Sequence, residues 1–114
     1  MVETSMQKSD FNNEHGVAQL YVEVPTFQRT MSQGKEVVFF IIRCCCGSMK
    51  WTLEKRYSDF FDTNESLKIM HAHMPTFPPK TYFPLQKDQD IEDRRQQLST
   101  YLKDLANRAD MRSS

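Results

Sequence analysis

The sequence predicts an α+β domain in which three antiparallel strands are followed by two helices. The run of β-branched and aromatic residues from Val37 to Ile42 has the composition of a strand. Apolar residues recur at every second position in the segments before and after that run, which is the period of strands. Farther along the chain they recur every three or four positions in two segments, and a proline-rich stretch separates these two predicted helices.

The composition is that of one small globular domain. The 114 residues are 39% hydrophobic and 26% charged, which suits a single core. Lysine plus arginine equals aspartate plus glutamate at 15 each, and this balance argues against a nucleic acid as partner. The longest apolar stretch has six residues, far fewer than the roughly 20 of a membrane-spanning helix. Because the N-terminus is also too polar for a signal peptide, we expect a soluble, cytoplasmic protein.

The first predicted strand runs from Val17 to Pro25. It follows residues 1–14, which are polar and have few apolar side chains to bury, so we expect them to form a flexible tail. The apolar residues of the strand share one parity and predict one buried face: Leu20, Val22 and Val24. Pro25 is predicted to end the strand, and residues 26–35 are predicted to form a loop.

The second and third strands are predicted to form a hairpin. The second contains Val37–Ile42, and Gly47 with Ser48 has the composition of a tight turn. The third strand is predicted over Met49–Tyr57. Its period of two places three side chains on one face: Trp51, Leu53 and Lys55.

The two predicted helices lie on either side of the proline-rich stretch. Ser58 is predicted to cap the first helix, which cannot continue past Pro75. Its buried stripe is predicted from the helical spacing: Phe60, Phe61, Leu67, Met70 and Met74. Residues 75–84 are expected to form a stiff, partly extended loop. Asp88 or Asp90 is predicted to start the second helix, with these residues on its buried face: Ile91, Leu98, Tyr101, Leu102 and Leu105.

The sequence lacks the residue sets of an enzyme or a metal site. Its cysteines are the consecutive residues 44–46, a spacing that suits neither disulfides nor zinc, so we expect them to pack or to shape a turn. His71 and His73 would point about 200° apart on a helix and could not share a metal ion. No glycine-rich phosphate loop or nucleophile elbow occurs. We therefore predict no catalytic residues, no metal and no cofactor.

Two segments are candidates for binding. Pro75–Pro78 is a PxxP element that a protein partner could bind as a polyproline II helix, but we favour a rigid connector that directs Lys80. Where the third strand should meet the first helix, Arg56 offers a planar fork of donors that suits phosphate oxygens. The flat ring of Tyr57 lies beside it in the sequence and could support a sugar-like ring. Taken alone, such a pair is more often a solvated strand end.

Three segments together make the chain resemble a phox homology (PX) domain, from about Val17 to Arg108. They are Arg56–Phe60, Pro75–Lys80 and Arg94–Leu102, and they occur in the order typical of that family. The resemblance implies a three-stranded antiparallel sheet packed against a small helical subdomain, with the proline-rich loop between the helices. It also implies a phosphoinositide-binding, membrane-targeting module of the sorting-nexin type that is not an enzyme.

The resemblance assigns the lipid headgroup to four residues. It implies that Arg56 holds the 3-phosphate and that Tyr57 packs beneath the inositol ring. It further implies that Lys80 binds the 1-phosphate and that Arg94 contacts ring hydroxyls. Lys55 stands where a second arginine is frequent in the family, a change that keeps the charge and loses the planar fork.

The resemblance also implies a membrane-insertion loop after Lys80. The corresponding residues are Tyr82, Phe83 and Leu85, which would dip into the bilayer beside the headgroup. The alternative is that these side chains fold back into the core. We favour insertion because a loop flanked by prolines has little core to enter.

The resulting hypothesis is a PX-like domain over residues 15–114 that recognises phosphatidylinositol 3-phosphate. It would bind peripherally to the cytosolic face of endosomal membranes. The sequence ends at Ser114, whereas family members usually continue, which leaves open a domain without its last helical segment. The alternative function is a protein-interaction module of the same fold with weak or no lipid binding.

Overall fold

Three antiparallel strands form one sheet, and two helices follow them in the chain. The structure is a computed structural model that describes residues 19–81 and 84–108. The elements are β1 (Leu20–Ser32), β2 (Lys35–Cys46), β3 (Met49–Lys55), α1 (Tyr57–Met70) and α2 (Asp88–Ala106). The strand order is β1-β2-β3, and both pairs are antiparallel. The predicted α+β fold is therefore confirmed, while the predicted flexible tail lies outside the described residues.

Strand β1 is longer than the sequence predicts, because Pro25 does not end it. Glu23 pairs with Arg43 and Thr26 pairs with Ile41, so two residues of β1 face one residue of β2. This β-bulge accommodates Pro25, which has no N–H to offer to a regular ladder. The predicted loop over residues 26–35 is wrong, since the strand continues to Ser32 and a two-residue turn leads into β2.

Helix α2 satisfies the backbone groups of the bulge. The N–H of Val24 donates to Ser99 Oγ at 3.0 Å, and its carbonyl oxygen accepts a hydrogen bond from the Arg95 guanidinium. Arg95 also pairs with Glu92, at 2.6 Å between Nη2 and Oε2. The pKa of Glu92 is lowered to about 2, mainly by its hydrogen bonds from Arg95 and to a smaller extent by one from Gln96. Because unpaired buried backbone groups are costly, this network fixes α2 on β1.

The core lies between the sheet and the two helices. Its buried residues come from every element except β3: Val24, Phe40, Ile42, Cys44, Phe60, Ile91 and Leu98. Burial raises the pKa of the Cys44 thiol, which agrees with the predicted packing role. The predicted buried face of α2 is confirmed at Ile91, Leu98 and Tyr101. Among the described residues, no helix is long and apolar enough to cross a membrane, and no cluster of three His, Cys, Asp or Glu side chains could hold a metal ion.

The start of α1 and its buried stripe differ from the prediction. Strand β3 ends at Lys55, and the helix begins at Tyr57, ahead of the predicted cap at Ser58. Phe60 is buried as predicted, but Met70 is 66% exposed and the other buried residue of α1 is the polar Asn64. The Tyr101 hydroxyl donates to Asn64 Oδ1 at 2.7 Å. Sequence periodicity missed this contact because it identifies only apolar side chains as buried.

We expect Tyr101→Phe to lower the free energy of unfolding by about 1–2 kcal/mol, because Asn64 would lose its buried donor. Urea denaturation followed by circular dichroism measures this change. Tyr21→Phe is the matched control, since Tyr21 is largely exposed and should change the same quantity by less than about 0.5 kcal/mol. Equal effects of the two substitutions would contradict the assignment of the buried hydrogen bond.

Candidate functional site

Arg56 lies at the junction between β3 and α1. Its backbone N–H donates to Asp59 Oδ2 at 3.0 Å, and its carbonyl oxygen accepts the Asp59 N–H at 3.0 Å. These two contacts fix the first turn of α1 through backbone atoms. The residue is exposed, and its guanidinium makes no hydrogen bond or ion pair with residues 19–81 or 84–108. The donors of Arg56 are therefore available to a ligand.

Tyr57 joins α1 to the proline-rich loop. The residue is half-buried, and its hydroxyl donates to the carbonyl oxygen of Pro78 at 2.6 Å. Burial raises the pKa of this hydroxyl, while the nearby Arg94 cation acts in the opposite direction. The Tyr57 ring packs against Phe77 and Phe61, with ring centroids 5.6 and 6.2 Å away. We call Tyr57, Phe61 and Phe77 the aromatic floor.

Arg94 of α2 lies over this aromatic floor. Its guanidinium carbon is 3.9 Å from the centroid of the Tyr57 ring, and Nη2 donates to the carbonyl oxygen of Pro79 at 3.3 Å. Burial lowers the pKa of Arg94, although the side chain stays cationic at neutral pH. A partly desolvated cation attracts an anion more strongly than one in open water.

Lys80 lies over the same aromatic floor. Its Nζ is 4.3 Å from the centroid of the Phe61 ring. The structure therefore brings Tyr57, Lys80 and Arg94 together around three aromatic rings, with Arg56 next to Tyr57 in the chain. The support that Phe61 and Phe77 provide was not predicted from the sequence. The signal for Phe61 was its position four residues after Tyr57, which places both rings on one face of α1.

Arg56 and Arg94 differ from three other described arginines in their ion pairs. Arg29, Arg43 and Arg95 each form an ion pair with a carboxylate. Arg56 and Arg94 form none with the residues that the structure describes. Two arginines and Lys80 therefore leave positive charge near the aromatic floor that no described carboxylate neutralises.

The predicted membrane-insertion residues have different outcomes. Leu85 is half-buried and packs against the core, which favours the alternative that its side chain folds back over insertion into a bilayer. Leu85 lies three residues before the start of α2, close enough to pack against the core. The local sequence does not show this contact. Tyr82 and Phe83 lie outside the described residues.

The PxxP element packs inward, as a connector should. Pro78 is buried and its carbonyl oxygen accepts the Tyr57 hydroxyl. Phe77 packs edge to face against Tyr101, with a centroid distance of 4.9 Å. A polyproline II ligand needs exposed prolines, so these contacts favour the connector over a binding site for a protein groove.

Comparisons with known proteins agree with this architecture. A family model described as "PX domain" matches residues 45–114, a range that contains all four predicted headgroup residues. The human kinesin-like protein KIF16B is 35% identical over 75 residues, which cover 63% of this chain and 6% of that protein. Its mouse counterpart is 32% identical over 75 residues with the same coverage. The chain thus spans only about 6% of the length of these curated relatives.

A solved structure shows the same fold. The X-ray structure of a designed CISK-PX domain superposes with a TM-score of 0.76 and 24% identity. The match covers 82% of this chain and 91% of that structure. Residues 45–114, which the family model matches, contain the three parts of the candidate site: the β3–α1 junction, the proline-rich loop and α2. The chain therefore belongs to the PX domain family, whose members are generally phosphoinositide-binding modules that target membranes and are not typically enzymes.

Proposed function

We propose that this domain binds the headgroup of phosphatidylinositol 3-phosphate and brings its parent protein to the cytosolic face of endosomal membranes. One observation carries the proposal. Lys80 and Arg94 lie over the aromatic floor, Arg56 is next to Tyr57 in the chain, and none of the three forms an ion pair with a described carboxylate. A site with unneutralised cations suits a ligand that carries several negative charges.

Each cation has a separate task in this proposal. Arg56 binds the 3-phosphate with its planar fork of donors, and Lys80 binds the 1-phosphate as a point charge. Arg94 donates to the ring hydroxyls from its position over Tyr57. Hydrogen bonds between ionised partners are about twice as strong as neutral ones, so three such contacts suffice to orient one lipid.

Tyr57 acts here as a positioning residue. The Arg94 guanidinium lies against one face of the Tyr57 ring, at 3.9 Å from its centroid. The Tyr57 hydroxyl also holds the proline-rich loop through Pro78, two residues before Lys80. In the proposal Tyr57 therefore orients two residues that bind the headgroup, Arg94 and Lys80. This is in addition to the position beneath the inositol ring that the family resemblance implies.

Membrane contact adds to headgroup binding. We propose that Tyr82 and Phe83 insert into the bilayer, while Leu85 contributes to the core. Each lysine or arginine near an anionic leaflet adds about 1 kcal/mol of attraction. The proposed module has no catalytic role and requires no cofactor, and its partner is a lipid surface.

Vesicle sedimentation tests the proposal. Vesicles should carry, one at a time, each mono- and polyphosphorylated inositol lipid, and the control vesicles should match their charge with phosphatidylserine. We expect binding to the 3-phosphate lipid and little binding to the charge-matched control, because the proposal assigns all three cations to one headgroup. Absence of binding by a domain that circular dichroism shows to be folded would contradict the proposal and favour the protein-interaction module.

A further inference from the structure

No described strand pairs with the outer edge of β3. The strand order is β1-β2-β3, so β3 pairs with β2 on one side only. All seven of its residues, Met49–Lys55, are exposed. No backbone group of β3 makes a hydrogen bond to a described residue outside β2. Such an edge offers a template for another strand, and proteins usually protect it.

The register of the hairpin shows which backbone groups point outward. Cys46 and Met49 flank the two-residue turn and form the first hydrogen-bonded pair of the β2–β3 ladder. Because hydrogen-bonded and non-hydrogen-bonded pairs alternate, the odd-numbered residues of β3 bond to β2. Three residues direct their N–H and C=O groups to the free edge: Lys50, Thr52 and Glu54.

These three residues are self-complementary. When two copies of β3 pair antiparallel about Thr52, Lys50 of each copy lies opposite Glu54 of the other. In this register Lys50, Thr52 and Glu54 of one copy face Glu54, Thr52 and Lys50 of the other. Each N–H that points to the free edge therefore meets a C=O of the other copy. Opposite charges directly across a strand pair are favourable, and like charges there are not.

The odd-numbered residues are complementary in the same register. Trp51 and Leu53 lie on the core face of the sheet, beside the buried Cys44 and Ile42, yet remain 39% and 41% exposed. Pairing about Thr52 sets Trp51 of one copy against Leu53 of the other, so both apolar side chains lose water contact. The chain has a formal net charge of zero at pH 7, so net charge does not oppose the association of two copies.

We propose that β3 is a dimerisation edge at which a second copy of this chain pairs antiparallel about Thr52. The interface is isologous, and the two sheets join into one of six strands. The dimer uses no residue of the proposed headgroup site. Its success or failure is therefore independent of lipid binding.

Charge reversal at the edge tests the register. Wild-type protein should show a reversible monomer–dimer equilibrium by sedimentation equilibrium. Lys50→Glu places two glutamate pairs across the interface and Glu54→Lys places two lysine pairs, so each should raise the dimer dissociation constant at least about tenfold. An equimolar mixture of the two variants should restore dimers, because each glutamate then faces a lysine.

The test includes a matched control. Lys35→Glu changes another exposed lysine, at the start of β2, and should leave the dissociation constant unchanged. A wild type that stays monomeric at its highest soluble concentration would overturn the proposal and leave the edge to a strand of another protein. A dimer that tolerates both charge reversals, or a mixture that fails to restore dimers, would also overturn it.

Discussion

Arg56→Gln is expected to abolish detectable binding to vesicles that carry phosphatidylinositol 3-phosphate. The substitution removes a cation that no described residue neutralises, together with its fork of donors. Loss of a charged partner from a charge-assisted contact costs about 2–5 kcal/mol, which corresponds to a loss of affinity of at least about thirtyfold. Sedimentation with vesicles at several lipid concentrations measures this loss.

The same substitution should leave the fold intact. The contacts that start α1 run through the backbone of Arg56 and the carboxylate of Asp59, and glutamine retains that backbone. Arg43→Gln is the matched control, since it breaks only the exposed ion pair with Glu23 on the sheet. Retained vesicle binding by folded Arg56→Gln protein would remove Arg56 from the proposed site. Equal loss in both variants would indicate nonspecific attraction by positive charge.

Glutamine substitutions at the neighbouring Arg94 and Arg95 are expected to give opposite results. Arg95→Gln should lower the free energy of unfolding by about 2–3 kcal/mol, because it removes the charged donor to the Val24 carbonyl and breaks the pair with Glu92. Arg94→Gln should change the free energy of unfolding by less than about 1 kcal/mol, because it removes a stacking contact on Tyr57 and one long, exposed hydrogen bond to the Pro79 carbonyl.

Binding should follow the opposite order for these two variants. Arg94→Gln should weaken vesicle binding at least about tenfold, because its guanidinium is a proposed headgroup ligand. Arg95→Gln should bind normally at temperatures where it remains folded. Urea denaturation and vesicle sedimentation on the same preparations separate the two effects. A stability loss at Arg94 or a binding loss at folded Arg95→Gln would reverse the assignment.

The strand and helix predictions succeeded where burial repeats along the chain. The run from Val37 to Ile42 and the buried face of α2 are both regular, and the structure contains both. The prediction that β1 ends at Pro25 was wrong. It assumed a regular ladder, in which a proline has no N–H to donate and normally interrupts the pairing. Here Pro25 lies in a β-bulge, where no ladder hydrogen bond from its nitrogen is needed. The N–H and carbonyl of the neighbouring Val24 are hydrogen-bonded to side chains of α2.

The candidate site was predicted only with the help of the family resemblance. Adjacent residues on a helix point about 100° apart, so periodicity shows that Arg94 and Arg95 differ in direction. It does not show that Arg94 meets Tyr57 and Arg95 meets Val24, because those partners lie 37 and 71 residues away in the chain. The inward packing of Leu85 was equally invisible to local sequence.

The sequence by itself determined the number and order of the strands and helices within the described residues, and the buried face of α2. These properties follow from side-chain patterns that repeat within a few residues, so they can be recognised without the fold. The tertiary structure alone decided that Val24 bonds to Ser99, 75 residues away, and that cations gather over the aromatic floor. These contacts join residues that are far apart in the chain, so they exist only once the chain has folded. They form because buried polar groups need hydrogen-bond partners, which here come from distant segments.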